Sequence, residues 1–288
     1  MKQVGLIGYP VAHSFSPAMQ QAAFDACGIE ARYVLWETPP KAMEQRIASL
    51  RAPNMLGANV TVPHKECAFA LVGECDALAA RIGAVNTIVN RHGRLIGYNT
   101  DAPGLLRALR EQGFEPRGKR VVMLGTGGAA RGGSVALLES GVEELTLLGR
   151  TQDRLHALLH HLRALAAAWF SRTSVNGALL GSDEASQALA RAELLMNATP
   201  VGLKANKAND TTLLVDVSVL PASALVMDMI FNPPRTPLLQ AAQERGLLTL
   251  NGLSMLLYQG AAAFELWTGQ PAPVEVMREA LQRALPLV

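Results

Sequence analysis

Aromatic residues are scarce, at 5% of the 288 positions, and cysteine is scarcer still, with three in the whole chain. Cys27, Cys67 and Cys75 make an odd count without a C-x-x-C pair. That argues against a disulfide framework and a zinc knuckle, and it suits three reduced thiols in a cytosolic setting. Charge of one sign is missing too. The formal net charge is +2 and the basic residues are scattered, so no electrostatic stripe is offered to nucleic acid. Long apolar runs are absent. The longest weakly polar stretch, around Ala164 to Phe170, is far too short to cross a bilayer. At the start, Met1-Lys2-Gln3 runs into Val4-Gly5-Leu6-Ile7-Gly8, which is too short for the apolar core of a signal peptide. These absences predict a cytoplasmic protein with neither a membrane nor a nucleic acid as partner.

What is present is an ordinary globular composition, 49% hydrophobic and 17% charged, over a length that suits two cores. In the first hundred residues, Val4–Gly8, Arg32–Trp36, Met55–Val60 and Ala84–Asn90 read as strands. Between them, Pro17–Cys27, Pro40–Leu50 and Pro63–Leu71 have helical spacing, with prolines near their starts. After Gly118 a second alternation begins: strands at Arg120–Leu124, Glu144–Leu148, Glu193–Ala198, Leu225–Phe231 and Leu247–Leu250, with a helix at Ala129–Glu139. Asp101–Gln112 reads as a joining helix, and Arg163 to Ser186 as a helix end plus a loop. The tail holds helices at Leu253–Thr268 and Val274–Ala284 and no strand, so it must bury its apolar face on an earlier element. The expected fold is α/β in two domains. One is mostly parallel, residues 1–101 completed by the C-terminal helices in 251–288; the other, residues 102–250, is Rossmann-like.

Directly after the strand at Val121-Val122-Met123-Leu124 comes Gly125-Thr126-Gly127-Gly128-Ala129-Ala130, a G-x-G-x-x-A pattern opening a helix. The first glycine permits the tight turn, the second lets backbone approach a pyrophosphate, and the helix N-terminus supplies N–H donors. The competing reading is a glycine-rich turn that serves only packing. Cofactor choice rests on the next strand, whose end in an NAD site carries an acid for the ribose 2′-hydroxyl. Here Leu148 is followed by Gly149-Arg150-Thr151-Gln152-Asp153-Arg154. The guanidiniums of Arg150 and Arg154 with the Thr151 hydroxyl suit a 2′-phosphate, and Asp153 reads as a first-turn helix residue. NADP is therefore expected, with NAD as the alternative.

Further blocks carry a resemblance. They are Gly8-Tyr9-Pro10-Val11-Ala12-His13-Ser14-Phe15-Ser16-Pro17, Gly57-Ala58-Asn59-Val60-Thr61-Val62-Pro63-His64-Lys65, Gly83-Ala84-Val85-Asn86-Thr87 and Gly97-Tyr98-Asn99-Thr100-Asp101. Asn197-Ala198-Thr199-Pro200-Val201-Gly202, Thr236-Pro237-Leu238-Leu239 and Tyr258-Gln259-Gly260-Ala261 extend the set. Together they resemble the shikimate dehydrogenase family over nearly the whole chain. The resemblance implies reversible hydride transfer between NADP(H) and 3-dehydroshikimate or shikimate, in aromatic amino acid biosynthesis. It implies Lys65 and Asp101 as the catalytic pair, Ser14 and Ser16 on the substrate carboxylate, and Asn59, Thr61, Asn86 and Gln259 on ring hydroxyls. It also implies cofactor contacts from Gly125, Gly127, Gly128, Ala129, Arg150, Thr151, Arg154, Thr199 and Met229, no metal, and a monomer or homodimer.

The chemistry agrees with that assignment, since reducing a ketone needs a proton donor at the developing alkoxide. A lysine near a helix start feels the dipole against its charge and a carboxylate in favour of it. Local alternatives stand beside it: Ser16 before Pro17 as an N-cap, Thr100 or Asp101 as a cap, Lys65 as a solvated helix residue, Asn86 as a turn former. His13 reads as structural. Three positions depart from the family's pattern. Phe231 stands where a tyrosine is usual, Gly149 where an asparagine precedes Arg-Thr, and Gln20 where biosynthetic members carry histidine. The last leans toward the branch that accepts quinate and sometimes NAD. The competing functions are thus a quinate/shikimate dehydrogenase or paralogue, and a non-catalytic sensor, against which the intact Lys65 and Asp101 argue.

Overall fold

The computed structural model describes residues 1–170, 172–203 and 213–285. The chain divides into two compact units, Met1–Gly104 with Leu256–Val288, and Leu105–Met255.

The first unit has five strands, β1 (Lys2–Gly8), β2 (Ala31–Glu37), β3 (Met55–Val60), β4 (Thr87–Arg91) and β5 (Arg94–Tyr98), in the order β2-β1-β3-β4-β5. Strand β1 pairs in parallel with β2 and β3, and β4 alone runs against its neighbours. Parallel pairs require crossovers, which α1 (Ser16–Ala26) and α2 (Met43–Ser49) provide; α3 (Lys65–Val72) and α4 (Ala77–Ile82) follow β3. The helices α10 (Leu253–Thr268) and α11 (Val274–Ala284) come from the far end of the chain.

Tyr33 and Trp36, three apart on β2, face opposite sides of this sheet. On the Trp36 side, Ile7, Met43, Ile47, Ala68, Val72 and Ile88 form a buried cluster. On the Tyr33 side, α10 sets Phe264 against Phe24 (centroids 5.4 Å apart) and Trp267 against Tyr33 (6.2 Å). The Trp267 indole N–H donates to the Ile88 carbonyl at 3.0 Å. That bond passes so close to β3 that residue 57 must be glycine: its φ is +151°, and a Cβ there would stand 2.0 Å from the same carbonyl oxygen.

The second unit is entered by α5 (Asp101–Glu111), whose first turn belongs to the first unit. It contains β6 (Arg120–Leu124), α6 (Gly128–Ser140), β7 (Glu144–Gly149), α7 (Gln152–Trp169), β8 (Ser174–Leu179), α8 (Asp183–Leu189), β9 (Leu194–Asn197), β10 (Leu225–Asp228), α9 (Pro237–Glu244) and β11 (Leu248–Leu250). All strand pairs are parallel, in the order β8-β7-β6-β9-β10-β11. This is the Rossmann order, with the crevice for a ligand at the C-terminal ends of β6 and β9, where the winding reverses. The central strands are buried almost throughout, as helices on both faces require.

The structure differs from the sequence expectation in several places. Strand β8 and helix α8 occupy the stretch read as helix end and loop. As an edge strand, Ser174–Leu179 needs only two buried side chains and so carries no apolar run. The expected strand Ala84–Asn90 begins at Thr87 and returns as β5 through a tight turn at His92 (φ 55°) and Gly93 (φ 89°). The helix expected from Pro63 begins at Lys65, because Thr61–His64 first close a turn, the His64 N–H donating to the Thr61 carbonyl at 2.9 Å.

The late arrival of Phe264 in an early core gives a measurable expectation. Phe264→Ala should lower unfolding free energy by about 3–5 kcal/mol in chemical denaturation, the usual result of emptying a large buried site. A loss below about 1 kcal/mol would mean that α10 does not hold this core together.

Candidate functional site

Two helix starts meet in the first unit. Lys65 opens α3 and Asp101 opens α5, and the Lys65 Nζ donates to Asp101 Oδ2 at 2.6 Å. The two side chains are 21% and 19% exposed, shielded from bulk water yet within reach of a small molecule. The segment Ala84-Val85-Asn86 holds both helices in place. The Val85 N–H donates to the Lys65 carbonyl (2.9 Å), Asn99 Nδ2 to the Ala84 carbonyl (3.1 Å), and the Thr100 N–H to Asn86 Oδ1 (2.7 Å).

Asn86 is also the hub of a buried polar set. Its Nδ2 donates to Thr100 Oγ1 (3.0 Å) and reaches Gln259 Oε1 (3.4 Å). The Thr87 and Thr100 hydroxyls lie 3.1 Å apart, and Thr87 accepts from Asn59 Nδ2 at 3.1 Å. Asn59 Oδ1 accepts from the Tyr33 hydroxyl at 2.8 Å. Burial pushes the Tyr33 phenol well above its ordinary range, while a hydrogen bond with the Ser16 side chain pulls the other way. Ser16 is buried, and its N–H donates to Ser14 Oγ at 3.2 Å. Of the substrate residues expected from sequence, Ser14, Ser16, Asn59, Asn86 and Gln259 are thus joined, Gln259 by its long contact. Thr61 lies half buried just past β3, and its hydroxyl takes no part in this network.

The local alternatives fare poorly here. Phe15, not Ser16, is the N-cap of α1. The Ala102 N–H at the start of α5 is taken by Asn99 Oδ1 (3.3 Å), which leaves Thr100 and Asp101 to their other partners. Lys65 is paired rather than solvated, and Asn86 is buried rather than in an open turn. Sequence reasoning left Tyr33, Thr87 and Thr100 unassigned. The two threonines stood inside the motif blocks; nothing in the spacing marked Tyr33. Gln20 is fully buried, its Nε2 on the Gly260 carbonyl (2.9 Å) and its Oε1 without a partner among the described residues.

In the second unit, β6 runs into Gly125 at φ +111°, where an added Cβ would press on the Thr199 methyl at 3.0 Å. Gly127 is the N-cap of α6, with no side chain capping it. Among the described residues, side chains built on Gly127 or Gly128 would meet nothing within 4 Å, so the start of this thirteen-residue helix leaves room for a ligand. Ala129 is exposed at the same helix start. That is a cradle for a phosphate group. Past β7, Arg150, Thr151 and Arg154 are all exposed, and among the described residues neither arginine makes an ion pair. Asp153 lies in the first turn of α7. The residues present therefore suit a dinucleotide with an added phosphate.

Thr199 and Met229 flank this site through a buried carboxylate. The Thr199 hydroxyl donates to Asn197 Oδ1 (2.7 Å), and Asn197 Nδ2 donates to Asp228 Oδ1 (3.1 Å). Asp228 also accepts from the Ile230 N–H (3.0 Å) and the Thr236 hydroxyl (2.7 Å). By taking the Ile230 N–H, Asp228 ends β10 sooner than expected from sequence. Burial raises its carboxyl above the ordinary value, against those three bonds. Met229 lies half buried, with its methyl close beside Gly133 of α6, and Phe231 lies half buried just beyond it. Among the described residues, no helix is long and apolar enough to cross a membrane, and no three His, Cys, Asp or Glu could jointly hold a metal ion.

Comparison with known proteins agrees with this geometry. Residues 6–88 match the shikimate dehydrogenase substrate binding domain, and residues 252–282 match the shikimate 5'-dehydrogenase C-terminal domain. The chain is 45% identical over 284 residues to a shikimate dehydrogenase (NADP(+)) of Symbiobacterium thermophilum, covering 98% of this chain and 94% of the relative. A crystal structure of shikimate 5-dehydrogenase from Thermus thermophilus, in complex with NADP(H) and shikimate, superposes with a TM-score of 0.86 at 36% identity, covering 99% of this chain and 100% of that one. Quinate dehydrogenase from Corynebacterium glutamicum, in complex with NAD, gives 0.87 at 30% identity, covering 98% and 99%.

Asp228 yields an expectation for stability. Its proton is held more tightly in the folded chain than in the unfolded one, so its contribution is full below the ordinary value of 3.8 and is lost as pH rises through the raised folded value. Asp228→Asn should therefore gain on the unaltered protein as pH rises above 3.8 in pH-resolved unfolding, and parallel curves would refute it. Asp228→Ala should cost about 1–3 kcal/mol at least, since it strands buried donors.

Proposed function

Because the chain belongs to the shikimate dehydrogenase family, we propose that it interconverts 3-dehydroshikimate and shikimate reversibly, with NADP(H) as its redox partner. The observation that carries this is the Lys65–Asp101 pair at 2.6 Å, fixed beside a buried run of amide and hydroxyl groups. NADPH, when bound, supplies the hydride for reduction of the ring ketone.

Lys65 has three N–H donors and spends one on Asp101, which leaves two to face a substrate oxygen. Its role is to give a proton to the developing alkoxide in reduction and to take it back in oxidation. Asp101 fixes the direction of the ammonium and keeps a negative charge beside it. Ser14 and Ser16 at the start of α1 take the substrate carboxylate, and Asn59, Thr61, Asn86 and Gln259 take ring hydroxyls. A site built from such groups rejects an analogue that lacks a hydroxyl, since a buried protein group is then left unpaired. In the second unit, the loop Gly125, Gly127, Gly128 and Ala129 holds the pyrophosphate, Arg150, Thr151 and Arg154 the 2′-phosphate, and Thr199 and Met229 the nicotinamide end. On this reading residues 1–101 with 251–288 bind substrate and carry the chemistry, and 102–250 bind the dinucleotide. The enzyme is cytoplasmic, a monomer or homodimer, and serves aromatic amino acid biosynthesis.

Steady-state kcat/KM measured for shikimate and quinate, each with NADP+ and NAD+, tests the assignment. Shikimate with NADP+ should lead; dominance of quinate with NAD+ would overturn it. Lys65→Ala should abolish turnover while leaving the circular dichroism spectrum unchanged. Asp101→Asn should lower kcat far more than it raises the Kd for NADPH, and the reverse pattern would remove it from the catalytic pair. Arg150→Ala should raise KM for NADPH much more than for NADH; equal effects would show that Arg150 does not read the 2′-phosphate.

A further inference from the structure

Gly149 closes β7 in a buried position, and its backbone lies outside the left-handed region, so its conformation is open to any residue. What a side chain there meets is crowding. A Cβ built on Gly149 lies 3.1 Å from the Thr126 methyl and 3.3 Å from Leu155 Cβ. Leu155 is a core residue of α7, 3% exposed. Thr126 is the variable residue of the glycine loop, half buried, and its hydroxyl makes no hydrogen bond to a described residue. The register explains the meeting. Leu124 stands opposite Leu148, and the Gly125 N–H donates to the Leu148 carbonyl at 2.8 Å, so residue 126 comes to rest over residue 149. In a sheet of this order, the end of the strand after the glycine loop is where the adenosine ribose is read.

Building on the dinucleotide reading of this unit, we propose that Thr126 supplies the ribose contact that a side chain at 149 would otherwise make. Its methyl fills the space above Gly149, and its hydroxyl hydrogen-bonds the adenosine ribose. Residues 126 and 149 then act as one specificity element: a branched residue at 126 requires glycine at 149, and a polar side chain at 149 requires a small residue at 126. The ribose 3′-hydroxyl, the group this contact would take, is common to both cofactors. Thr126 therefore sets affinity for NADPH and NADH alike, whereas Arg150 separates them.

The test is equilibrium binding of NADPH and of NADH to the full chain, followed by nicotinamide fluorescence, with the ligand-free Tm of each variant as the control for folding. Thr126→Val, which keeps the shape and removes the hydroxyl, should raise both Kd values about 2- to 10-fold, the worth of one hydrogen bond. Thr126→Ser should stay within about 2-fold. Gly149→Asn should weaken binding by about 10-fold or more through the clash, and Thr126→Ala combined with Gly149→Asn should recover most of that loss. An unchanged Kd in Thr126→Val would overturn the proposal, as would independent, multiplying effects of Thr126→Ala and Gly149→Asn. If Gly149→Asn loses its folding transition, the Val and Ser variants still decide. An unaltered protein that failed to bind NADPH at all would bring down the dinucleotide reading itself, a result distinct from those above.

Discussion

Three consecutive residues, Ala84-Val85-Asn86, settle where Lys65 and Asp101 meet. Lys65 and Asp101 lie 36 positions apart and open different helices. Each helix start has a local turn or cap of its own, yet its place in the unit is set by a segment outside it. The Val85 N–H seizes the carbonyl of Lys65, while Ala84 and Asn86 seize the residues just before Asp101. The 2.6 Å contact between the charged groups is a consequence of that backbone clamp. An ion pair this close to solvent would contribute little by itself, given the entropy of holding a long lysine in one geometry. Here the clamp has already met most of that cost for the backbone.

Both units carry a side-chain hydrogen-bond network; in the second it lies at the C-terminal ends of β9 and β10, while in the first it runs from within β2 to the end of β3 and the start of β4. In the first, Tyr33, Asn59, Thr87, Thr100 and Asn86 pass hydrogen bonds from β2 across β3 and β4 to the start of α5. In the second, Thr199, Asn197, Asp228 and Thr236 link β9, β10 and α9. Buried polar groups are costly unless nearly all are satisfied, and satisfied networks admit few alternative packings. Each sheet thus presents a pre-shaped polar rim on an apolar base.

The sequence is most legible where periodicity and motif coincide. The glycine loop sits between a strand and a helix that both show strong patterns, so its turn and its open N-terminus could be read directly. The pairing of Lys65 with Asp101 was readable only through the blocks around it, because nothing in their spacing says that they touch. Tyr33 escaped notice since its partner Asn59 lies on a different strand, and a lone tyrosine in an apolar run reads as core. Strand β8 escaped because an edge position relaxes the demand for apolar residues on both faces. Strand β5 escaped because its hairpin turn is charged and its strand short. The sequence around Gly149 does not say that the Thr126 methyl stands above it, because the two meet only through the register of β6 and β7.

The composite make-up of the first unit has a bearing on synthesis. Its sheet is encoded by residues 2–98, yet Phe264 and Trp267, which cover one face of that sheet, are made only after the whole second unit. On the ribosome, the unit that emerges first must wait with that face uncovered while the continuous second unit, residues 105–255, is free to finish. The nascent chain therefore exposes an apolar sheet surface until α10 is made, and chaperone demand should fall on residues 1–104 until that helix leaves the exit tunnel.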